Sequence, residues 1–254
     1  MDRYSDIFRF DSVVVERVTY APNLYMPPHT DKLSRISIIL DGTMNEAAGT
    51  DDVFATAGSL VIKPNHAVHE NVFGNKPVKL LTIGFEDDSL FSRHFTKWQY
   101  ISHPKIYVEA IGLWTKLLKI KKEADILVTL NFFSSIALPG ENESPKVAFW
   151  VEQLKELLTH DLSESGNIAA LSKKLSLHRV YMTRAFKKEC GVSPVEFRKF
   201  TKIATAMLNL ALTKETLATI AYDTGFADQS HMNREFRLHA GCTPASFRKM
   251  MNGS

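Results

Sequence analysis

Long apolar runs, cysteine and catalytic constellations are what this chain has least of. No stretch approaches 18 consecutive apolar residues, so no membrane-spanning helix is expected. The opening residues, Met1 to Asp6, show neither the basic nor the apolar region of a secretory leader. The only two cysteines, Cys190 and Cys242, have no metal-ligand spacing. They read as small buried residues of a protein in the reduced cytoplasm, not as a disulfide pair or a metal site. No Ser-His-Asp set, phosphate loop or paired carboxylate site stands out, so neither an enzyme nor a cofactor is expected. What remains is an ordinary globular composition, 44% hydrophobic and 23% charged, in 254 residues, long enough for two domains.

The chain does contain an internal repeat. Met182, Arg184, Phe186, Gly191, Pro194, Phe197 and Arg198 recur 50 residues later as Met232, Arg234, Phe236, Gly241, Pro244, Phe247 and Arg248, and Ser193 is matched by Thr243. Seven identities in 17 ungapped positions, with Gly, Pro, Phe and Arg all in phase, exceed what a shared helical period produces. Two copies are too few for a solenoid, so the repeat implies two small helical units joined by a connecting helix. The cysteines lie within the repeat but at non-equivalent positions.

Charge divides the chain in the same place. Residues 1–144 hold 15 Lys+Arg against 18 Asp+Glu, and residues 145–254 hold 16 against 10. A balance of −3 beside one of +6 suggests that the second half meets a polyanion and the first does not.

Residues 8 to about 86 read as β. Val13–Val15, Ile36–Leu40, Leu60–Ile62 and Val78–Ile83 are short apolar runs. Between them Pro27-Pro28, Asp41-Gly42, Ala57-Gly58, Pro64-Asn65 and Gly74-Asn75 read as turns, the pattern of a sandwich or small barrel. From about residue 88 the period becomes helical, through Leu113, Trp114, Leu117 and Leu118 and then Ile126, Leu127, Leu130 and Phe133. These helices either cover the barrel or pair with a second subunit. Residues 138–145 carry breakers and charge, as a linker does. After Pro145 helices are expected over 146–160, 168–175, 179–189, 194–212, 216–223, 229–239 and 244–251, with Asn167, Ser193, Asp228 and Thr243 as N-caps. The expected divisions are a barrel over 1–86, a helical dimerisation or linking region over 87–138, a linker over 139–145 and an all-α domain over 146–254.

Each repeat reads as helix, short turn, helix. In the second, Gly225-Phe226 turns the corner and Asp228 caps a helix with Met232 and Phe236 on its apolar face. Gln229, Ser230, Asn233 and Arg234 project elsewhere, and they are side chains of the kinds that read base edges. In the first copy Arg179, Val180, Tyr181, Thr183, Arg184 and Lys187 are left available to a partner. Lys173, Lys174, Lys187, Lys188, Lys199 and Lys202 suit phosphate contacts, which position a protein without carrying sequence information. Arg184 and Arg234, being identical in both copies, suit either a base or a shared phosphate or structural role.

The segment Ile220 to Phe236, followed by Gly241-Cys242-Thr243-Pro244 and Phe247-Arg248, resembles the signature of the AraC/XylS transcription regulators. The resemblance covers about residues 150–251 and implies two helix-turn-helix units held apart by the helix at 194–212, entering successive major grooves of double-stranded DNA. It implies base contacts by Val180, Thr183 and Arg184 and by Gln229, Ser230, Asn233 and Arg234, with Arg179 and Lys187 completing the first surface. Two departures from the pattern are His178, a poorer cap than the usual Ser, and Met232 in place of Phe. The resemblance also implies a small-molecule effector, a homodimer and, for an activator, RNA polymerase as partners.

The β region resembles the metal-binding cupins. His29-x-Asp31-x3-Arg35-x6-Gly42 and Gly58-x5-Pro64-x-His66-x2-His69 keep much of their spacing, with Asp31, Arg35 and His66 in place of His, Glu and Gly. The resemblance implies a cupin-like β-barrel with flanking helices. His29, Asp31 and His69 would make a two-histidine, one-carboxylate metal set, with His66 as a fourth ligand, but Arg35 sets a permanent cation where a ligand normally stands. Three readings of these residues stay open: a metal site, contacts of His29, Asp31, Arg35, His66 and His69 to an effector, and a purely structural role.

Overall fold

The computed structural model describes residues 3–10, 12–120, 149–160, 162 and 167–252. The chain divides into two compact units, one β-rich and amino-terminal, the other helical and carboxy-terminal. The expected linker at 139–145 and the helical pattern at 126–133 lie outside the described residues.

Among the described residues the first unit contains ten strands: β1 (Arg3–Phe10), β2 (Val13–Tyr20), β3 (Tyr25–His29), β4 (Ser34–Asp41), β5 (Thr43–Ala48), β6 (Asp51–Thr56), β7 (Leu60–Lys63), β8 (His69–Phe73), β9 (Val78–Phe85) and β10 (Gln99–Ile101). Two short helical features, α1 (Asp88–Ser92) and the longer α2 (Pro104–Ile120), flank them. The strands form a six-stranded sheet, β1-β2-β9-β4-β7-β10, and a four-stranded sheet, β3-β8-β5-β6, with antiparallel pairing throughout. The result is two antiparallel sheets with flanking helices. Every apolar run singled out in the sequence falls in the larger sheet, where Val13–Val15, Ile36, Ile38, Ile39, Leu60–Ile62 and Leu81 are buried. α2 packs against β2 and β4 and seals that sheet, burying Tyr107, Ile111 and Trp114 from one face. A second apolar cluster, built on Val18, Tyr20, Ile39, Met44, Val61 and Phe73, fills the space between the sheets.

One turn expectation fails. Pro27-Pro28 is part of β3, at the edge of the four-stranded sheet, and the register against β8 shifts between Met26 and His29. An edge strand has one row of backbone groups without strand partners, so a residue lacking an N–H is tolerated there. The Asp41-Gly42 turn is as expected: Gly42 has φ +79, and a Cβ there would lie 2.7 Å from the carbonyl oxygen of Pro77.

The second unit is all-α: α3 (Phe149–His160), α4 (Ile168–Lys174), α5 (Arg179–Cys190), α6 (Pro194–Leu212), α7 (Leu217–Asp223), α8 (Gln229–Ala240) and α9 (Pro244–Asn252). The expected caps form. Asn167 accepts from the backbone N–H of Ala169 and Ala170, Ser193 and Glu196 make a capping box, Asp228 accepts from His231 and Thr243 from Ser246. His178 makes no side-chain cap hydrogen bond.

The repeat is visible as duplicated packing. Met182, Phe186, Val192 and Phe197 are buried, and so are Met232, Phe236, Cys242 and Phe247 at the matching positions. Phe186 meets Phe197 edge-on at 5.5 Å, and Phe236 meets Phe247 at 5.3 Å. Cys242 therefore stands where the first copy has Val192, a small apolar residue, and neither cysteine is in a disulfide. The turns before α5 and α8 differ by one residue. Backbone bonds Leu175→Leu171, Ser176→Lys173 and Leu177→Ser172 are reproduced by Thr224→Ile220, Gly225→Tyr222 and Phe226→Ala221, an offset of 49. Ala227 is the extra residue that restores the offset of 50 at the caps His178 and Asp228.

Candidate nucleic-acid interface and barrel cluster

The helical unit presents two matching surfaces. On α5, Arg179, Val180, Arg184 and Lys187 are exposed and Thr183 is half-buried. On α8, Gln229, Ser230 and Arg234 are exposed and Asn233 is half-buried. Positions i, i+1, i+4 and i+5 of a helix share one face, so each set forms a contiguous strip opposite the buried Met and Phe. Thus the residues expected to read DNA are brought together in each unit, with equivalent positions equally exposed. Around the first strip lies a depression of about 570 Å³ lined by His178, Val180, Tyr181, Arg184, Ala185 and Lys188. Val180 and Tyr181, 45% and 56% exposed, give it an apolar floor beside two cations. Arg234 is 3.9 Å from Glu235, with its side chain 74% exposed, a contact too solvated to hold it away from a partner.

What places α8 is the turn ahead of it. Gly225 has φ +71, and a Cβ there would lie 2.0 Å from the carbonyl oxygen of Leu162. Lys202 of α6 donates to the carbonyl of Gly225, tying the connecting helix to the turn. Lys202, one of the cations assigned by sequence to phosphate, therefore has an intramolecular role.

The barrel residues form a second constellation. His29 from β3, Asp31 just after it and His69 from β8 converge, with one possible ligand atom from each lying within 4.8 Å of the others. Arg35 of β4 lies on Asp31, Nε to Oδ2 3.4 Å. His66, by contrast, is exposed on the turn between β7 and β8 and is outside this group.

The centre is held by residues the sequence reading did not select. The Lys63 ammonium is 3.6 Å from Asp31 Oδ2, 3.4 Å from Glu46 Oε1 and 3.3 Å from His69 Nε2. Glu46 is fully buried and accepts from Trp98 Nε1 at 2.6 Å and Asn71 Nδ2 at 3.1 Å. Lys63 closes the apolar run Leu60-Val61-Ile62, and Glu46 occupies an inward position of β5. An ionisable residue in phase with a buried face was the available signal for both.

Electrostatics make the cluster self-consistent. Burial pulls the Lys63 amine down, but Glu46 and Asp31 outweigh it and hold the ammonium above the ordinary lysine value. Burial would lift Asp31, but Lys63, Arg35 and the two histidines hold its carboxyl below the ordinary range. Burial and the Lys63 charge together lower His69, which favours the neutral ring with Nε2 accepting from lysine. Two carboxylates thus face two cations and a neutral imidazole. Asp31 Oδ2 and Arg35 Nε, both buried, still lack a hydrogen bond of normal length.

Several known proteins resemble parts of this chain. Residues 171–250 match a family model described as a helix-turn-helix domain. The Msm operon regulatory protein of Streptococcus mutans is 26% identical over 160 residues, 63% of this chain and 55% of that protein. The arabinose operon regulatory protein of Escherichia coli is 28% identical over 128 residues, 48% of this chain and 44% of that protein. The chain spans about half the length of the curated relatives it matches. A solved structure of ToxT from Vibrio cholerae covers 96% of this chain and 100% of its own at 14% identity, with a TM-score of 0.42. That is too loose a likeness to carry weight.

Proposed function

We propose that this chain, whose helical unit is of the AraC/XylS helix-turn-helix type, is a sequence-specific DNA-binding transcription regulator controlled by a small molecule in its barrel. The observation that carries the reading is the duplicated strip: Arg179, Val180, Thr183, Arg184 and Lys187 on α5, and Gln229, Ser230, Asn233 and Arg234 on α8, each fixed by an equivalent buried core. Where the two strips agree, in the arginines, they grip. Where they differ, at Val180 against Ser230 and Thr183 against Asn233, they read different base pairs. The relatives named as operon regulatory proteins support this, as does the excess of basic residues in the second half.

On this reading residues 1–86 form the sensor, 87–138 the pairing region of a homodimer, 139–145 the linker and 146–254 the DNA-binding domain, acting in the cytoplasm and, in an activator, on RNA polymerase. His29 and Asp31, both half-buried, stand at the partly open side of the barrel cluster and suit contact with the effector, with the buried Arg35 behind Asp31. The chain is not assigned an enzymatic role: the constellation a metal-dependent cupin enzyme would need has lysine and arginine at its centre.

Genome-wide mapping of bound sites identifies the operator, and anisotropy titrations on that duplex supply the test. Binding is expected to weaken steeply with salt, as released counterions require. Arg184→Ala and Arg234→Ala are each measured against an operator mutation series. Loss of discrimination at one base pair supports base reading, worth about 1–3 kcal/mol per bidentate contact. Salt-insensitive binding, or no preference for any duplex, refutes the proposal.

A further inference from the structure

We infer that Lys63 is a tethered cation standing in the place of a divalent metal, and that it closes this barrel to metal while a latent His29–Asp31–His69 site persists around it. Three features converge. First, both histidines keep the outer contacts of metal-binding histidines. His29 Nδ1 lies 2.7 Å from the carbonyl of Pro27, and His69 Nδ1 lies 2.9 Å from that of Ala67. In each case a ring nitrogen bonds a backbone carbonyl two residues upstream, which orients the imidazole and leaves Nε2 as the available donor atom. Second, the three candidate ligand atoms lie within 4.8 Å of one another, close to the spacing of ligands about 2 Å from one ion. Third, the ammonium stands against two of the three, 3.3 Å from His69 Nε2 and 3.6 Å from Asp31 Oδ2, and 3.4 Å from Glu46 Oε1.

A single positive charge on a buried stem does the electrostatic work of an ion. It neutralises two carboxylates, Glu46 of the four-stranded sheet and Asp31 on the connection between β3 and β4. Lys63 and Arg35 come from the six-stranded sheet, and Glu46, His69 and Asn71 come from the four-stranded one. A divalent ion added beside two cations would meet repulsion that the two carboxylates only just balance. With the ammonium removed, the group carries a net negative charge around a preformed ligand set. The inference concerns the barrel alone and stands whether or not the helical unit binds DNA.

Full-length wild type, Lys63→Met, Lys63→Gln and the double variant Lys63→Met/His69→Ala are dialysed against Zn²⁺ and, separately, Co²⁺. Bound metal is then counted, and thermal unfolding is recorded with and without EDTA. Wild type is expected to retain no metal at this site and to unfold identically in EDTA. Lys63→Met or Lys63→Gln is expected to take up about one ion per chain, to gain thermal stability from it and to lose both effects in the double variant. A Lys63 variant that folds only when metal is supplied also supports the inference. Three results overturn it: metal in wild type that His69→Ala removes, folded Lys63 variants that bind none, or failure of both Lys63 variants to fold even with metal.

Discussion

Replacing Gly225 by alanine tests how the second helix-turn-helix places α8. The substitution carries two costs. At φ +71 an L-residue occupies the left-handed region, at about 1–2 kcal/mol. The new Cβ would also lie 2.0 Å from the carbonyl oxygen and 2.8 Å from the carbonyl carbon of Leu162. Both are backbone atoms, so no rotamer change relieves the overlap, and the shift required costs about 1–3 kcal/mol more. Gly241 provides the control: its φ is +64, but a Cβ there meets nothing within 4 Å, so Gly241→Ala carries the first cost only. Urea unfolding of the full chain, followed by far-ultraviolet circular dichroism, should therefore show Gly225→Ala less stable than Gly241→Ala by about 1–3 kcal/mol. The first unit offers the converse. Ser176 holds the place of Gly225 at φ 55, so Ser176→Gly should stabilise the unit by up to about 1 kcal/mol. Equal losses for the two alanine variants would show that Leu162 does not close on the turn, and the account of how α8 is positioned would fall.

Further outcomes follow from caps and charges. His178→Ser should stabilise α5 by about 0.5–1 kcal/mol by supplying a missing cap, and Ser193→Ala should cost about 1 kcal/mol by breaking the capping box; both are read by thermal unfolding. Barrel stability should fall on acidification in two stages. His69, lowered in the fold, is protonated more readily unfolded, so stability drops as pH falls below the ordinary histidine value of 6.5. Asp31, also lowered, contributes stability that is present above the ordinary value of 3.8 and is lost as pH falls through its folded value. Lys63, raised, contributes stability that is present below 10.5 and is lost only as pH rises beyond it. Unfolding curves of wild type and His69→Gln across pH check the first stage, which should vanish in the variant.

The helical unit was legible because its information is local. Ser193, Asp228 and Thr243 announce their helices within three residues, and Pro194 and Pro244 mark first turns. Buried residues recur at helical spacing within a single element, as Met182 and Phe186 do. The barrel was half legible. β2, β4, β7 and β9 read as continuous apolar runs because both faces of their sheet are largely covered, by α2 and by the second sheet. β3, β5 and β6 did not, since each leaves one face in solvent: Tyr25, Asn45 and Phe54 are exposed.

The sequence by itself determined the repeat, its scaffold residues and the two strips that differ between the copies, since all of these depend on spacing along one helix. Only the tertiary structure decided what stands inside the barrel. Lys63 and Glu46 are 17 residues apart and lie on different sheets, Asp31 comes from the β3–β4 connection, and His69 and Asn71 come from β8. Spacing matched His29 and His69 to a metal set and admitted His66. The fold then put His66 outside and the Lys63 ammonium on Asp31 and His69, two of the three candidate ligands, because which charges meet depends on how strands pair across two sheets, and no local pattern records that.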